Sequence, residues 1–391
     1  GAGHMPPYLA GREEEKTEFS RLLSQTTIYE NMILTGRRGV GKTVLLDTLK
    51  PLAIAKGWLW VGTDLSEAAS ISEDNLALRL LTDLSVVTST VIVGSKERQR
   101  SGFKAETNKV EYTLSFQFLF TVYTETPGLV ADKIKAVLEF VWQCLAPLNT
   151  RGIIFAYDEA QNLSDHAEKD QFPLSLLLDV FQSIQKKNIP FMLALTGLPN
   201  LFPKLVDART FAERMFRVVQ IDRLQEGASR DAILKPIQDA KCPINLSDEF
   251  VVIIVEMSGG YPYFIQFICR EVYDVVIQKM SAGQTPAVPI NEITRKLDTD
   301  FFAGRWSKAT DRQRDLLVVI ASLENCDSEF TVQEVVEESK KTASKQFSAS
   351  HASQMLASLC DVGLVFKSRY GRYSLGVPLL AKFILRWSLQ N

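Results

Sequence analysis

Apolar Met32-Ile33-Leu34-Thr35 runs straight into GRRGVGKT, Gly36 to Thr43, and then into a helical pattern, Val44-Leu45-Leu46-x-x-Leu49. No other stretch of the chain limits its fold so strongly. Glycines at these spacings let successive backbone N–H groups curl around phosphate oxygens, and a helix that starts there turns its positive end toward the same anion. Lys42 is placed to reach terminal phosphates and the Thr43 hydroxyl to ligate magnesium. Strand, loop and helix in this order predict an α/β fold built around a phosphate-binding turn.

The surrounding pattern supports that reading. Further apolar runs read as strands at Trp58 to Val61, Ile153 to Tyr157, Phe191 to Leu195 and Phe216 to Ile221, with helical patterns between them. Such alternation predicts a mostly parallel sheet covered on both faces, with ligands at the carboxyl ends of its strands. Between Val86 and Thr126 the alternation fails. β-Branched Val86 to Val93 and alternating Phe116, Phe118, Phe120 and Val122 both suit strands, so residues 86–126 are expected to form a hairpin-like insertion. Its tip, Gly94 to Tyr112, holds Lys96, Arg98, Arg100, Lys104 and Lys109 against Glu97, Glu106 and Glu111, and reads as a solvated loop, with a partner or nucleic-acid contact as the alternative.

Beyond the fifth strand the pattern is helical: near Glu226 to Ala240, at Asp248 to Met257, and from Gly259-Gly260-Tyr261-Pro262 to about Lys279. From about Trp306 three helices are expected, at Asp311 to Leu323, after Thr331 as N-cap, and at Ser348 to Cys360. Leu364 to Lys367 and Arg372 to Leu375 then read as a two-stranded wing, and three helices with a hairpin are the winged variant of helix-turn-helix. The expected division is a cloning remnant at 1–5, a nucleotide-binding core at 6–222, a helical lid at 223–305 and a winged helix at 306–391.

Composition sets limits on partners. A net charge of -2 excludes a uniformly basic nucleic-acid coat and leaves room only for a local basic face. No apolar stretch approaches the roughly 18 to 20 residues that span a bilayer, so no membrane partner is expected. The five cysteines, Cys144, Cys242, Cys269, Cys326 and Cys360, lie far apart without a CxxC pair, which points to a reducing, cytoplasmic setting.

Two further positions carry chemistry. Asp158 and Glu159 end the third apolar strand, where the first carboxylate would hold magnesium and the second would accept a proton from attacking water. Thr196 ends the expected neighbouring strand, a position from which a hydroxyl orients that water or the terminal phosphate. Arg209 and Arg214 precede the fifth strand, and Arg214 is the preferred candidate to reach a neighbouring subunit's nucleotide.

Together these residues resemble the AAA+ superfamily, in particular the bacterial and archaeal ATPases related to the origin-recognition and Cdc6 initiators. GRRGVGKT matches its Walker A motif, AYDEAQ at Ala156 to Gln161 its Walker B, and Thr196-Gly197-Leu198-Pro199 falls where sensor 1 is expected. Tyr8 to Glu13 looks like that group's GRxxE segment. Glu213 to Phe216 resembles its arginine-finger stretch, and Gly259 to Phe264 the Gly-x-Pro lid of archaeal-type and signal-transduction ATPases. The resemblance implies ATP and ADP as ligands with Mg2+ as cofactor. It assigns nucleotide contacts to Gly11, Arg12, Arg37, Arg38, Gly39, Val40, Gly41, Lys42, Thr43, Val44 and Pro262, the last against adenine. Metal ligands are then Thr43 and Asp158, and catalytic groups Lys42, Glu159, Thr196 and Arg214.

Slow, switch-like hydrolysis and a homo-oligomer or partner protein are expected on the same ground. For the C-terminal domain two roles stand open. From Lys340 to Tyr373, six bases (Lys340, Lys341, Lys345, Lys367, Arg369, Arg372) face only Asp361, which favours double-stranded DNA, with Ser350 and Gln354 at base edges and Lys367, Arg369 and Arg372 on phosphates. The alternative is a signalling ATPase whose winged helix binds protein.

Overall fold

The computed structural model describes residues 5–99, 107–241, 246–283, 288–342, 346–369 and 371–390, with the side chains of 94–99, 107–111, 280, 342, 369 and 390 outside the description. Five strands form the central sheet: β1 Asn31–Thr35, β2 Trp58–Val61, β3 Gly152–Tyr157, β4 Phe191–Gly197 and β5 Phe216–Gln220. Their order is β2-β3-β4-β1-β5 and every pairing is parallel.

All residues of β1, β3 and β4 are buried, as a sheet covered on both faces requires. Side chains divide by parity. Met32, Leu34, Ile154 and Ala156 pack with Leu45 and Leu49 of the helix after the glycine loop, whereas Ile33, Ile153, Phe155 and Tyr157 pack with Leu80, Leu84 and Val141 on the other face. Wholly buried Asn31 fixes the start of β1 between its neighbours. Its Nδ2 donates to Met215 O at 3.1 Å, and its Oδ1 accepts from Leu193 N and from Gln185 Nε2, each at 2.8 Å. Stripping one partner from such a group costs about 1 to 3 kcal/mol.

The insertion differs from its expected form. Helix Glu73–Thr88 continues through Val86 and Val87, and the hairpin pairs Ile92–Gln99 with Thr107–Thr113. Phe116–Glu125, expected as a strand, is a helix capped by Ser115 and followed by Val130–Leu145. Its apolar residues fit both periods. As a helix, it buries Leu119 and Tyr123 in the core one turn apart while Phe116 stacks on Phe120 at 5.8 Å. Arg100 and Lys104 of the tip lie outside the described residues, as do Cys242 and Lys345.

Helices Glu226–Asp239, Asp248–Ser258 and Pro262–Ser281 follow β5, and Ile290–Leu297 runs on through one π turn to Trp306. The C-terminal part has helices Asp311–Ala321, Val332–Thr342 and Ala349–Asp361, then the hairpin Val365–Arg369 and Arg372–Leu375. Two features were not expected from sequence. Phe330–Thr331 adds a third short strand to the wing, and a last helix, Leu380–Gln390, lays Phe383 on Phe302 at 5.2 Å and Trp387 on Trp306 at 5.0 Å. No helix among the described residues is long and apolar enough to cross a membrane.

Candidate functional site

The glycine loop leaves β1 where only glycine fits: a Cβ on Gly36 would lie 2.2 Å from Ile221 O. Gly41, at φ 89°, takes the left-handed conformation that lets the chain turn into helix Lys42–Ala55. Three donors hold the loop's carbonyls. Lys42 Nζ donates to Gly36 O at 2.9 Å and Arg37 O at 3.0 Å. Arg12 Nη2 donates to Val40 O and to Asp222 O, each at 2.8 Å, and the Tyr263 N–H, in the first turn of the Pro262 helix, donates to Gly39 O at 3.1 Å. The loop is thereby joined to the N-terminal segment and to the helical layer. Burial pushes the Lys42 ammonium down to about 8, against the pull of Asp158 and Glu159.

Asp158 follows β3 directly. Its Oδ2 accepts from the Thr43 hydroxyl and its Oδ1 from the Glu159 N–H at 2.8 Å, while burial raises its carboxyl above the usual range. A hydroxyl and a carboxylate in contact at the loop's end suit one hard cation shared with a phosphate. Among the described residues there is no cluster of three or more His, Cys, Asp or Glu side chains, so a metal here would depend on its ligand for further oxygens. Glu159 is exposed, takes a left-handed φ of 50°, and its Oε2 accepts from Gln161 Nε2. The Thr196 hydroxyl is buried on β4 with no hydrogen-bond partner.

The two arginines separate cleanly. Arg209 makes a two-pronged pair with Asp179, at 2.9 and 2.8 Å, whereas Arg214 is exposed at the end of the short helix before β5.

A cavity of about 750 Å³ opens between the loop, the N-terminal segment and the helical layer. Its apolar wall includes Pro7, Tyr8, Ile233 and Pro236, with the Lys235 ammonium 4.3 Å above the Tyr8 ring. Arg38, Lys42, Arg270 and Arg305 supply positive charge around it, and Glu159 stands on its rim. Arg12, Gly39, Val40, Gly41, Thr43 and Val44 line it as expected. Pro262 does too, with its Cγ 3.9 Å from where a Cβ on Gly41 would stand.

Gly11 and Arg37 do not line the cavity. A Cβ on Gly11 would lie 2.7 Å from Ala228 Cβ, so this glycine lets the N-terminal segment pack on the Glu226 helix. The Arg37 guanidinium turns away and donates to Asp327 O in the C-terminal part. Sequence reasoning passed over Arg305 and Lys235, which arrive from remote helices with no local motif. Gln161 had a signal, its place two residues after Glu159.

At the other end of the chain, Ser350 and Gln354 are exposed on helix Ala349–Asp361, whose opposite face buries Ala352, Met355, Leu356 and Leu359. Lys367 is exposed on the wing. The Thr331 N–H and hydroxyl hold the Glu334 carboxyl below its usual range, and half-buried Arg372 adds a weaker pull. The Arg369 backbone belongs to the wing strand and its side chain lies outside the description.

A family described as a domain of unknown function (DUF8462) matches residues 299–384, and no curated protein matches the sequence. The Aeropyrum pernix ORC2 protein in its ADPNP-ADP complexes superposes with a TM-score of 0.54 at 13% identity, over 100% of this chain and 98% of its own. Its ADP form gives 0.54 at 12% identity over the same shares. The Aeropyrum pernix ORC1 protein in complex with DNA gives 0.48 at 16% identity, over 97% and 94%.

Proposed function

We propose that this chain, which has the AAA+ fold of the origin-recognition and Cdc6 proteins with helical lid and winged helix, is an ATPase whose nucleotide state governs assembly and grip on double-stranded DNA. The observation that carries the reading is local: a buried lysine, a Thr43–Asp158 contact and a rim carboxylate converge on one cavity. That the ORC2 protein was solved with ADPNP and ADP supports the choice of ligand.

In this reading Lys42 exchanges its two loop carbonyls for terminal phosphate oxygens, since a triphosphate offers it charge where the loop offers only dipoles. Thr43 and Asp158 hold magnesium, which supplies charge neutralisation at those phosphates. Glu159 accepts a proton from the attacking water, and the Thr196 hydroxyl, buried without a partner and outside the cavity lining, would have to turn toward the site to orient that water or the phosphate. Arg214, rather than the ion-paired Arg209, serves a neighbouring subunit's nucleotide. No arginine opens the third lid helix, and Arg270, two turns along it, lines the cavity but is paired with Glu271 at 3.1 Å, which supports slow hydrolysis.

We divide the chain into a core to residue 222, a lid to 305 and a winged helix beyond. The match from 299 straddles the second boundary, where Phe301 packs on Phe264 at 4.9 Å and Phe302 on Phe383 at 5.2 Å. The DNA assignment rests on Ser350, Gln354 and the wing bases of this chain. A protein-binding signalling switch is the second reading, and the Arg37 contact to Asp327 O favours it by tying the C-terminal part to the nucleotide loop. DNA affinity that falls steeply with salt selects the first reading, and absence of binding at low salt selects the second. The site itself is tested with Lys42→Ala by titration calorimetry. ATP binding should be lost, and unchanged affinity would overturn the assignment.

A further inference from the structure

Gln161 sits in the short turn Ala160–Asn162 after β3, and no role above uses it. Its side-chain amide reaches two ways. Nε2 donates to Glu159 Oε2, and Oε1 accepts from the Leu198 N–H at 3.1 Å, one residue past the end of β4. Its backbone is held as well, because Lys204 Nζ on helix Leu201–Ala208 donates to Gln161 O at 2.6 Å. Gly197 permits this approach: a Cβ there would lie 2.7 Å from Gln161 Oε1.

We propose that Gln161 is a positioning residue whose amide fixes the Glu159 carboxylate relative to the end of β4 and the helix that leads toward Arg214. This deepens the proposed function and rests on its assignment of Glu159. Glu159 is exposed and has three side-chain torsions of its own, so without a tether its carboxylate samples positions too far from any water above a terminal phosphate. An error of about 1 Å in such a placement costs roughly a hundredfold in rate. A neutral amide is suited to the task. It grips one oxygen, Oε2, and leaves Oε1, which has no hydrogen bond among the described residues, to take the proton. A lysine or arginine there would fix the carboxylate but blunt its basicity. Through Leu198 and Lys204 the tether is anchored on the same segment that carries Thr196 and runs on toward Arg214, so proton acceptor, water-orienting hydroxyl and trans arginine share one support.

The test compares ATP turnover, ATP affinity and melting temperature in the full chain for wild type, Gln161→Glu, Gln161→Leu and Glu159→Gln. Gln161→Glu keeps an acceptor for the Leu198 N–H and replaces the donor to Glu159 with a second carboxylate. Turnover should fall at least about tenfold in Gln161→Glu, with ATP affinity within about twofold and the melting temperature near wild type. Gln161→Leu should lose turnover similarly and also lower the melting temperature, since the Leu198 N–H is then left without its partner. Wild-type turnover in Gln161→Glu would reduce Gln161 to a cap for Leu198 and overturn the proposal. A matching loss of ATP affinity in both variants would also overturn it, because the site as a whole would then be disturbed. Failure of the underlying reading looks different: Glu159→Gln itself would turn over ATP at the wild-type rate.

Discussion

The depressed ammonium of Lys42 makes ATP affinity depend on pH in a calculable way. In the free protein the group titrates at about 8 because it is buried with only backbone carbonyls to accept its hydrogen bonds. A bound triphosphate restores it toward the ordinary value of 10.5 or beyond, so binding takes up a proton wherever the free lysine is neutral. The sign follows. Affinity is fully present below about pH 8 and falls as pH rises through it, by about eightfold between pH 7.5 and pH 9, which corresponds to about 1.2 kcal/mol. At pH 8 the uptake is about half a proton per ATP, measurable as a difference in calorimetric enthalpy between buffers of unlike ionisation heat. Starting at pH 7.5 keeps clear of phosphate ionisation near about pH 6.

Lys42→Arg is the control, since a guanidinium stays charged throughout and its affinity should be flat over the same range. The stability of the free protein moves the opposite way. A folded-state value below the unfolded one is a penalty below about pH 8 that fades as pH rises toward 10.5. Equal pH dependence in wild type and Lys42→Arg, or no buffer dependence at pH 8, would refute the argument that burial of Lys42 outweighs the pull of Asp158 and Glu159.

Three other outcomes are expected. Arg214→Ala should lower hydrolysis by about a hundredfold or more with ATP affinity intact, and mixing with Lys42→Ala subunits should recover part of the rate. Arg209→Ala, which breaks a half-exposed pair with Asp179, should cost only about 0.2 to 1 kcal/mol of stability in denaturant melts and leave hydrolysis alone. Reversing Lys367, Arg369 and Arg372 together to Glu should weaken duplex binding for every sequence. Because Arg372 already faces Glu334, the logarithmic salt slope should flatten by about two rather than three, and an unchanged slope would remove the wing from the interface.

What sequence made legible was whatever is encoded locally. Gly36 to Thr43, the Asp158-Glu159 pair and the five central strands lie where their patterns put them, since a buried parallel strand and a glycine turn are each short and self-contained. The insertion was misread for a definite reason. Phe116, Phe118, Phe120 and Val122 alternate like a strand, yet Leu119 and Tyr123 complete a helical face, and only Leu119 packing inward decides between them. Side-chain direction was the other limit. Arg37 and Arg38 are adjacent in the loop, but one lines the cavity and the other crosses to Asp327 O, a choice set by a segment almost three hundred residues away. Likewise the basic count from Lys340 to Tyr373 stops short of Glu334, which the wing sheet brings against Arg372.

The Tyr263 N–H on Gly39 O belongs to the peptide backbone at both ends, and that gives it an unusual genetic invisibility. Every residue type except proline at position 263 supplies the same donor, and every residue at position 39 the same acceptor. An alanine scan of the loop and of the helix that meets it would therefore leave this clasp standing and report the two segments as uncoupled. Only replacing the Tyr263 amide by an ester, or installing proline there, would open it.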